Sequence, residues 1–235
     1  MKLKAVAIGA LAALALTACG GNAATGTSSP DAGASGDAQG GDKSYKIGIA
    51  LIQTHPALDA VAAGFKEAFE EAGVEVVYDE QNAQGDQSTL TNIANGFASS
   101  DNDGYLAIAT PTAQALANVI QDKPIVFGAV TDPVAAGSVP SWEAPDANVT
   151  GVSDLNPMKE QLELIKEALP EAKTVGIVYS SGEVNSEVQF SEAEKAASEL
   201  GLEVKGATVT NSSEVSQAAE SLDVDAYLIP TDTTV

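Results

Sequence analysis

The sequence carries one structural pattern twice, and this repetition limits the chain to folds built from two similar units. An apolar run, a polar loop, helix-like spacing of apolar residues and a Gly-x-Glu-Val motif follow one another from Lys46 to Val76, and again from Thr174 to Val204, 128 positions later. A third pair of segments follows in the same order, at 103–106 (DGYL) and 225–228 (DAYL). Short apolar runs that alternate with amphipathic helices are typical of α/β folds with parallel sheets. The sequence therefore predicts two lobes that each begin β-α-β-α-β.

The two copies differ in how far they continue. After its third strand the first copy has a helix pattern from Thr110 to Asn118 and a fourth strand pattern from Pro124 to Val130. The second copy stops at residues 229–235, without the equivalent helix and strand. We expect that this sequence is a truncated part of a longer protein whose second lobe is complete. The alternative is a complete short protein with half a second lobe, which would leave one sheet with a bare edge.

The first 19 residues resemble an export signal. Lys2 and Lys4 precede an apolar segment, residues 5–16, that is too short to span a bilayer as a stable anchor. Small residues then lead to Cys19, the one cysteine of the chain, as in a bacterial lipobox. The resemblance implies a signal peptide at 1–18 and lipidation of Cys19, so the protein is predicted to be extracytoplasmic and lipid-anchored to the bacterial cell membrane. An ordinary secretory signal with an unrelated cysteine is the alternative.

Residues 19–44 are predicted to be the lipidated cysteine and a flexible tether. The segment from Gly20 to Ser44 has no large apolar or aromatic residue. Such a segment buries too little surface to offset the entropy lost on ordering. The remaining chain then divides into an N-terminal lobe at 45–150 and an incomplete C-terminal lobe at 151–235.

Charge and composition exclude several classes of protein. The chain has 33 acidic residues against 11 basic ones, a formal net charge of -22. Nucleic-acid binders need a basic surface for phosphates, so no nucleic-acid partner is expected. One cysteine excludes a disulfide framework and any multi-cysteine metal site within the chain. The single histidine leaves little room for histidine-based metal chemistry.

Polar residues follow the predicted strands at the end where open parallel sheets bind ligands. Because the chain has no arginine, a ligand carboxylate would be held by hydroxyls and helix N-terminal amides, for which Thr110, Thr112 and Ser186 are suitable. Asp132 and Asp232 are predicted to meet a ligand ammonium group, so the pattern favours an amino acid. The alternative is that these residues are helix caps and turns. The predicted ligand-binding residues are Gln53, Thr54, His55, Thr110, Thr112, Thr131, Asp132, Asn185, Ser186 and Asp232.

No set of residues in the sequence points to catalysis. His55 precedes a proline at a predicted helix start and has no cysteine or second histidine as a partner. We expect it to contact a ligand or a hinge, or to cap the helix. The sequence also lacks a Gly-x-Ser-x-Gly elbow, a dinucleotide fingerprint, a P-loop and a calcium loop. We therefore predict that the protein is not an enzyme and that it has no catalytic residues, cofactor or metal.

Six segments of the sequence carry a resemblance to a known family. They are 52–59 (IQTHPALD), 82–86 (NAQGD), 110–113 (TPTA), 127–133 (FGAVTDP), 148–151 (NVTG) and 182–186 (GEVNS). They resemble the ABC-transporter substrate-binding proteins related to tryptophan- and tyrosine-binding lipoproteins, in order from Tyr45 to Val235. The resemblance implies a type I periplasmic-binding-protein fold, in which two Rossmann-like lobes are joined by a hinge and close on a small ligand. Members of this family usually continue by about a hundred residues more, which agrees with the expected truncation.

The resemblance and the residue patterns together predict a lipid-anchored solute receptor of an ABC importer. Its ligand is expected to be a small solute bound between the lobes, an amino acid, with aromatic amino acids among the candidates. Its partners are expected to be an ABC permease and ATPase in the membrane. Alternatives are a ligand-sensing lipoprotein for a membrane signalling partner and an extracellular enzyme on the same fold. A transcriptional regulator is disfavoured by the export signal and by the lack of a basic helix-turn-helix.

Overall fold

A computed structural model of the protein describes residues 44–143 and 148–235. The predicted signal peptide, Cys19 and the predicted tether as far as Lys43 lie outside the described residues. Within the described ranges, every helix is too short or too polar to cross a lipid bilayer. The elements are β1 (Tyr45–Leu51), α1 (Pro56–Glu71), β2 (Val76–Asn82), α2 (Gln87–Ala98), β3 (Gly104–Ile108), α3 (Thr110–Val119), β4 (Ile125–Gly128), β5 (Val149–Gly151), α4 (Met158–Ala168), β6 (Thr174–Ser180), α5 (Val184–Leu200), β7 (Glu203–Val209), a 3-10 turn (Ser212–Glu214), α6 (Val215–Glu220) and β8 (Ala226–Tyr227).

The first sheet has five parallel strands in the order β2-β1-β3-β4-β5. Helices cover both of its faces because successive side chains of a strand point to opposite faces. Ile49 of β1 belongs to a core cluster with Ala62 of α1. Its neighbour Ala50 belongs to another cluster with Phe97 of α2 and Leu116 of α3. We call this sheet with α1, α2 and α3 the first lobe.

The second sheet has three parallel strands in the order β7-β6-β8. The core of this part joins Leu162 of α4, Ile177 of β6 and Ala193 of α5. Strand β8 pairs with β6 over two residue pairs and forms one edge of the sheet. We call this sheet with α4, α5 and α6 the second lobe.

The predicted internal repeat is confirmed by the register of the strands. Gly48 is aligned with Tyr105 in the first sheet, and Gly176 is aligned with Tyr227 in the second. A Cβ atom on Gly48 would lie 2.7 Å from Cδ1 of Tyr105, and one on Gly176 would lie 2.8 Å from Cε1 of Tyr227. Each glycine therefore leaves room for the ring of a tyrosine on the neighbouring strand.

Two first-lobe helices begin at side-chain caps that hold the loops after β1 and β2. Nδ1 of His55 accepts a hydrogen bond from the backbone N–H of Ala57 at 3.2 Å, and Pro56 begins α1. Oδ1 of Asp86 accepts a hydrogen bond from the N–H of Thr89 at 2.6 Å at the start of α2. The predicted capping role of His55 is therefore confirmed.

The element boundaries differ from the sequence-based ones in three places. Strand β2 begins at Val76 rather than at residue 74 and continues through four polar residues, because it lies at the edge of the sheet. Helix α5 begins at Val184, so Asn185 and Ser186 lie in its first turn and not in a loop. Strand β5 and helix α4 are additional elements that the repeat pattern did not predict.

Candidate functional site

A cavity of about 490 Å³ lies where the carboxyl ends of strands from the two lobes face each other. This volume is within the range of sites for small organic ligands. Segments of both lobes and the connection after β5 line it. The lining residues are Gln53, His55, Ala57, Leu58, Val61, Ala109, Thr110, Ala129, Thr131, Asp154, Asn185, Pro230, Thr231, Asp232, Thr233 and Val235.

The first lobe contributes hydroxyl groups that follow β3 and β4. Thr110 and Thr131 are both almost completely buried. The backbone N–H of Thr131 donates to Oγ1 of Thr110 at 3.4 Å, so these two strand ends are connected. His55 lies beside them on the loop after β1 and is exposed. Since Nδ1 of His55 accepts from the backbone, its neutral ring carries the proton on Nε2.

Two alanines at the cavity wall have left-handed backbone conformations. Ala109 follows β3 with φ of 78°, and Ala129 follows β4 with φ of 55°. A non-glycine residue in this region costs about 1 kcal/mol or more, and such strain is concentrated at ligand sites. A hydrogen bond from the N–H of Ala109 to the carbonyl of Gly128, 3.0 Å long, holds the two strand ends together. The strained turns bring small side chains, rather than bulky ones, to the cavity.

The second lobe presents residues 230–235, which follow β8 and are fixed by hydrogen bonds to side chains. Both carboxylate oxygens of Asp232 accept such hydrogen bonds. Its Oδ2 accepts from the N–H of Ser180 at 2.7 Å and from Oγ of Ser186 at 2.6 Å. Its Oδ1 accepts from the N–H groups of Thr234 at 2.7 Å and Val235 at 3.0 Å. The carboxylate therefore organises this wall of the cavity.

Two further buried side chains hold the same segment against the start of α5. Glu183 accepts hydrogen bonds from the N–H and hydroxyl of Thr233, at 3.2 and 2.8 Å. Nε2 of Gln189 donates to the carbonyl of Thr231, and Oε1 of Gln189 accepts from the N–H of Thr231, both at 2.8 Å. These hydrogen bonds restrict the conformation of this wall of the cavity.

Asp154, on the connection after β5, is the other carboxylate in the cavity. Oγ1 of Thr131 donates to its Oδ1 at 3.0 Å. Burial raises the pKa of this carboxyl group above its usual value, and the hydrogen bond from Thr131 opposes the rise in part. Among the residues that the structure describes, neither lysine nor arginine lines the cavity. Asp154 is therefore a partly buried acid whose charge has no cationic partner among the lining residues.

Two hydrogen bonds join segments on opposite sides of the cavity. Nε2 of Gln53, in the first lobe, donates to the carbonyl of Thr233, in the second lobe, at 2.8 Å. Nδ2 of Asn156, on the connection before α4, donates to Oγ1 of Thr231 at 2.8 Å. Three of these four residues, Gln53, Thr231 and Thr233, line the cavity, so lining residues also take part in the contacts between these segments.

Six of the ten sequence-predicted ligand residues line the cavity: Gln53, His55, Thr110, Thr131, Asn185 and Asp232. Thr54, Thr112, Asp132 and Ser186 do not. Thr54 accepts a hydrogen bond from Asn82, Asp132 accepts from the N–H groups of Val134 and Ala135, and Ser186 donates to Asp232. Thr112 is fully buried in α3. Direct ligand contact by any of the ten stays a prediction.

The sequence interpretation missed Asp154 and the two threonines next to Asp232. Thr231 and Thr233 border a predicted residue, so the polar run after the last strand pattern was the available signal. Asp154 had no such signal because the three-residue strand that precedes it, Val149–Gly151, is too short to be recognised from its pattern. Glu183 and Gln189 were also missed, since acidic and amide residues at a helix start are typically solvent-exposed.

The cavity offers hydroxyls, carboxylates, an imidazole and apolar surface. Within the described part of the chain, the lining has no serine or cysteine beside His55. Among residues 44–143 and 148–235, no group of three or more histidine, cysteine or acidic side chains is placed to hold a metal ion.

Comparison with known proteins places the chain in a family. The family of ABC transporter substrate-binding proteins matches residues 46–235. A tyrosine-binding protein of Clostridioides difficile strain R20291 is 42% identical over 196 residues, which are 81% of this chain and 57% of that protein. The chain therefore spans little more than half the length of this relative.

Two solved structures are also similar. An ABC domain from Streptococcus pneumonia in complex with L-Trp is 38% identical, with a TM-score of 0.77 over 80% of this chain and 66% of the other. The ligand-free, open structure of a substrate-binding protein with adhesive properties from Clostridium difficile is 44% identical, with a TM-score of 0.60 over the same shares. The overall structural similarity is thus higher to the complex, although sequence identity is higher with the open protein. The family consists of binding proteins rather than enzymes, and this chain belongs to it, as an ABC transporter substrate-binding protein with the type I periplasmic-binding-protein fold.

Proposed function

We propose that the protein binds a free amino acid of the tyrosine and tryptophan class between its lobes and delivers it to an ABC importer. The observation that carries this proposal is the cavity of about 490 Å³, which combines hydroxyls, two carboxylates and an apolar wall. A zwitterion with an apolar side chain has the chemical groups that such a lining satisfies. The relatives named for tyrosine binding and solved with L-Trp support the same ligand class.

The ligand carboxylate is proposed to lie at the start of α3. This ten-residue helix begins at Thr110 without a side-chain cap, so its first N–H groups are available to an anion. The hydroxyl of Thr110 and the Nε2–H of His55 provide further donors at the same wall. Because the chain has no arginine, such neutral donors are the main means of holding a carboxylate.

The ligand side chain is proposed to pack on the aliphatic part of the lining. Leu58 and Val61 of α1, together with Pro230 and Val235 of the second lobe, supply this surface. No phenylalanine, tyrosine or tryptophan is among the described residues that line the cavity, so an aromatic ligand would contact aliphatic groups instead of stacking on a ring.

The ten predicted residues are proposed to act in two ways. Those that line the cavity contact the ligand or close over it. Thr54, Asp132 and Ser186 act through the loops and helix starts that they hold, as Ser186 does through its hydrogen bond to Asp232. Thr112, whose hydroxyl has no partner among the described residues, acts through its buried position in α3. Substitution of the second group would therefore weaken binding by displacing lining residues.

Delivery requires a permease, an ATPase and a means to stay near them. Closure of the lobes on the ligand would create the surface that a permease recognises. A lipid on Cys19, with the segment as far as residue 44 as a tether, would keep the receptor at the outer face of the membrane. If so, Cys19→Ala should move the protein from the membrane fraction to the soluble extracytoplasmic fraction. Membrane retention equal to that of the wild type would contradict the anchor.

The ligand class can be tested with a thermal unfolding screen of the full-length protein without its signal peptide. The panel is the twenty amino acids, simple sugars and small organic anions. A ligand present at 100 times its Kd stabilises the folded state by about 2.7 kcal/mol and raises the Tm accordingly. We expect the largest rise with L-tyrosine or L-tryptophan. A rise with sugars alone, or with no amino acid, would contradict the proposal.

A further inference from the structure

We infer that the ammonium group of the ligand is bound by Asp154 and Asn185, and not by Asp132 or Asp232 as the sequence pattern suggests. This inference rests on the proposed amino-acid ligand and identifies the residues that recognise its positive end. Both residues line the cavity. Asp154 is attached to the first lobe through Thr131, whereas Asn185 belongs to the first turn of α5 in the second lobe.

Asp154 has unused capacity to accept hydrogen bonds. An ionised carboxylate has two oxygens and about four acceptor positions. Thr131 is the one other residue in the described part of the chain that donates to it. Withdrawal of a carboxylate from water without a cation or several donors is unfavourable. A ligand ammonium at this position would supply both the charge and the missing donors.

Asn185, which also lines the cavity, provides an independent indication because its side chain has an acceptor without a partner. Its side chain is 4% exposed, and its Oδ1 has no hydrogen-bond partner among the described residues. The amide orientation is fixed, because Nδ2 lies 3.1 Å from both Oε2 of Glu183 and the carbonyl of Thr231, which can only accept. An unsatisfied buried acceptor costs about 1–3 kcal/mol, which a ligand N–H group would recover.

The carboxylates of the two other candidate acids already accept hydrogen bonds from within the protein. The four hydrogen bonds that Asp232 accepts, from Ser180, Ser186, Thr234 and Val235, occupy both of its oxygens. Oδ1 of Asp132 accepts from the N–H groups of Val134 and Ala135, both at 2.9 Å, and the residue does not line the cavity. Their carboxylates stabilise loops, which is the capping role that the sequence left open for such residues.

Recognition by this pair would couple binding to closure. An ammonium group has three donors, and its acceptors would come from segments held by different lobes. A ligand without the ammonium group would still fit the apolar wall and the start of α3, but it would not join Asp154 to Asn185. The positive end of the ligand would thus contribute to affinity by bridging the lobes.

The test is a cycle of two proteins and two ligands, measured by calorimetry on the full-length protein. The ligands are L-tryptophan and indole-3-propionate, which differ by the ammonium group. L-Tyrosine and 3-(4-hydroxyphenyl)propionate form a second such pair. The variant is Asp154→Asn, which keeps the shape and removes the charge. Asp122→Asn, in an exposed loop outside the cavity, is the matched control for loss of one charge.

We expect Asp154→Asn to weaken binding of the amino acid about 30-fold or more, as for other buried charge pairs. Its affinity for the ligand without the ammonium group should stay within about threefold of the wild-type value, and the control should bind both as the wild type does. An equal loss of affinity for both ligands would indicate structural damage and would overturn the inference. An unchanged affinity for the amino acid would overturn it as well. If the wild type binds neither amino acid, the proposed function fails and the inference fails with it.

Discussion

Tyr105 in the first lobe and Tyr227 in the second occupy equivalent places in the repeat, but their surroundings differ. Tyr105 is 2% exposed because β4 pairs with β3 beside it, whereas Tyr227 on the edge strand β8 is 46% exposed. Each ring lies over a glycine of the neighbouring strand, Gly48 or Gly176. The same packing of a tyrosine ring over a glycine therefore occurs in a buried and in an exposed setting within one chain.

The repeat extends to side-chain hydrogen bonds at the start of the same strands. Oδ2 of Asp103 accepts from the N–H of Lys46 at 2.9 Å, and Oδ2 of Asp225 accepts from the N–H of Thr174 at 2.9 Å. These hydrogen bonds, between residues 57 and 51 positions apart, are thus preserved in both lobes where burial is not. The comparison teaches that the repeat sets the contacts between equivalent strands, while the further neighbouring strands decide how much each contact contributes to stability.

The largest expected effect comes from filling the space under the tyrosines. Gly48→Ala should destabilise the protein by about 2–3 kcal/mol, because the new methyl group would meet Tyr105 and Asn102, which are both buried. Gly176→Ala should cost about 1 kcal/mol or less, because the exposed ring of Tyr227 can move aside. Urea unfolding followed by circular dichroism measures both free energies of unfolding. Equal losses would show that the edge of the second sheet is as rigid as the interior of the first.

A smaller difference is expected when the two tyrosine hydroxyls are removed. The hydroxyl of Tyr105 donates to the carbonyl of Phe97 at 2.6 Å in a buried setting, so Tyr105→Phe should cost about 1–2 kcal/mol. The hydroxyl of Tyr227 donates to the carbonyl of Ala219, also at 2.6 Å, but water can replace it there. Tyr227→Phe should therefore cost about 0.5 kcal/mol or less in the same unfolding experiment. A larger loss for Tyr227 than for Tyr105 would contradict the role assigned to burial.

The sequence predicted the fold well where pattern and burial agree. The offset of 128 positions locates β1 and β6, and both strands are almost fully buried apolar runs. Prediction from the sequence failed where a strand is polar or very short. Residues 79–82 of β2 are polar because the strand lies at an edge, and β5 has three residues. Neither leaves a periodic pattern that can be distinguished from a loop.

The candidate site was predicted in outline but not in the roles of its acids. The rule that ligands bind at strand ends indicated six of the residues that line the cavity. Whether a carboxylate is free or committed depends on partners far away in sequence, as between Asp232 and Ser180. Asp154 can be recognised as a site residue only in the folded structure, where β5 places the following segment next to Thr131. Such pairings are properties of the folded chain.

The helix starts after β2 and β7 offer a comparison that depends on pH. In the first lobe Asp86 caps α2, and hydrogen bonds from Ser88 and Thr89 lower the pKa of its carboxyl group to about 2. In the second lobe Asn211, which does not titrate, caps the 3-10 turn by accepting from the N–H of Ser213. Since the pKa of Asp86 is lowered on folding from about 3.9, its charge contributes stability above that pH. This contribution is lost as the pH falls towards 2.

Asp86→Asn should therefore reduce the pH dependence of stability in that window. At pH 7 the variant should unfold more easily than the wild type, because asparagine still caps the helix but lacks the charge that the hydrogen bonds from Ser88 and Thr89 stabilise. Between pH 4 and pH 2 the two free energies of unfolding should converge, which urea unfolding at several pH values can follow. Curves that stay parallel over the whole range would show that the carboxylate of Asp86 has the same pKa in the folded and unfolded states.

The smallest effect on stability, but a direct one on lobe closure, is expected at Gln53. Its counterpart in the repeat is Ser181, 128 positions later. Gln53 donates across the cavity to the carbonyl of Thr233, whereas Ser181 is exposed and its N–H donates to the carbonyl of Val209 within its own lobe.

A hydrogen bond contributes about 0.5–1.5 kcal/mol net, which is enough to change the ratio of closed to open molecules about 2- to 10-fold. Gln53→Ala should thus enlarge the radius of gyration of the ligand-free protein in small-angle scattering and weaken ligand binding by a similar factor. Ser181→Ala is the matched control and should change neither quantity. If both variants open the protein equally, the hydrogen bond across the cavity does not hold the lobes together, and closure depends on the ligand alone.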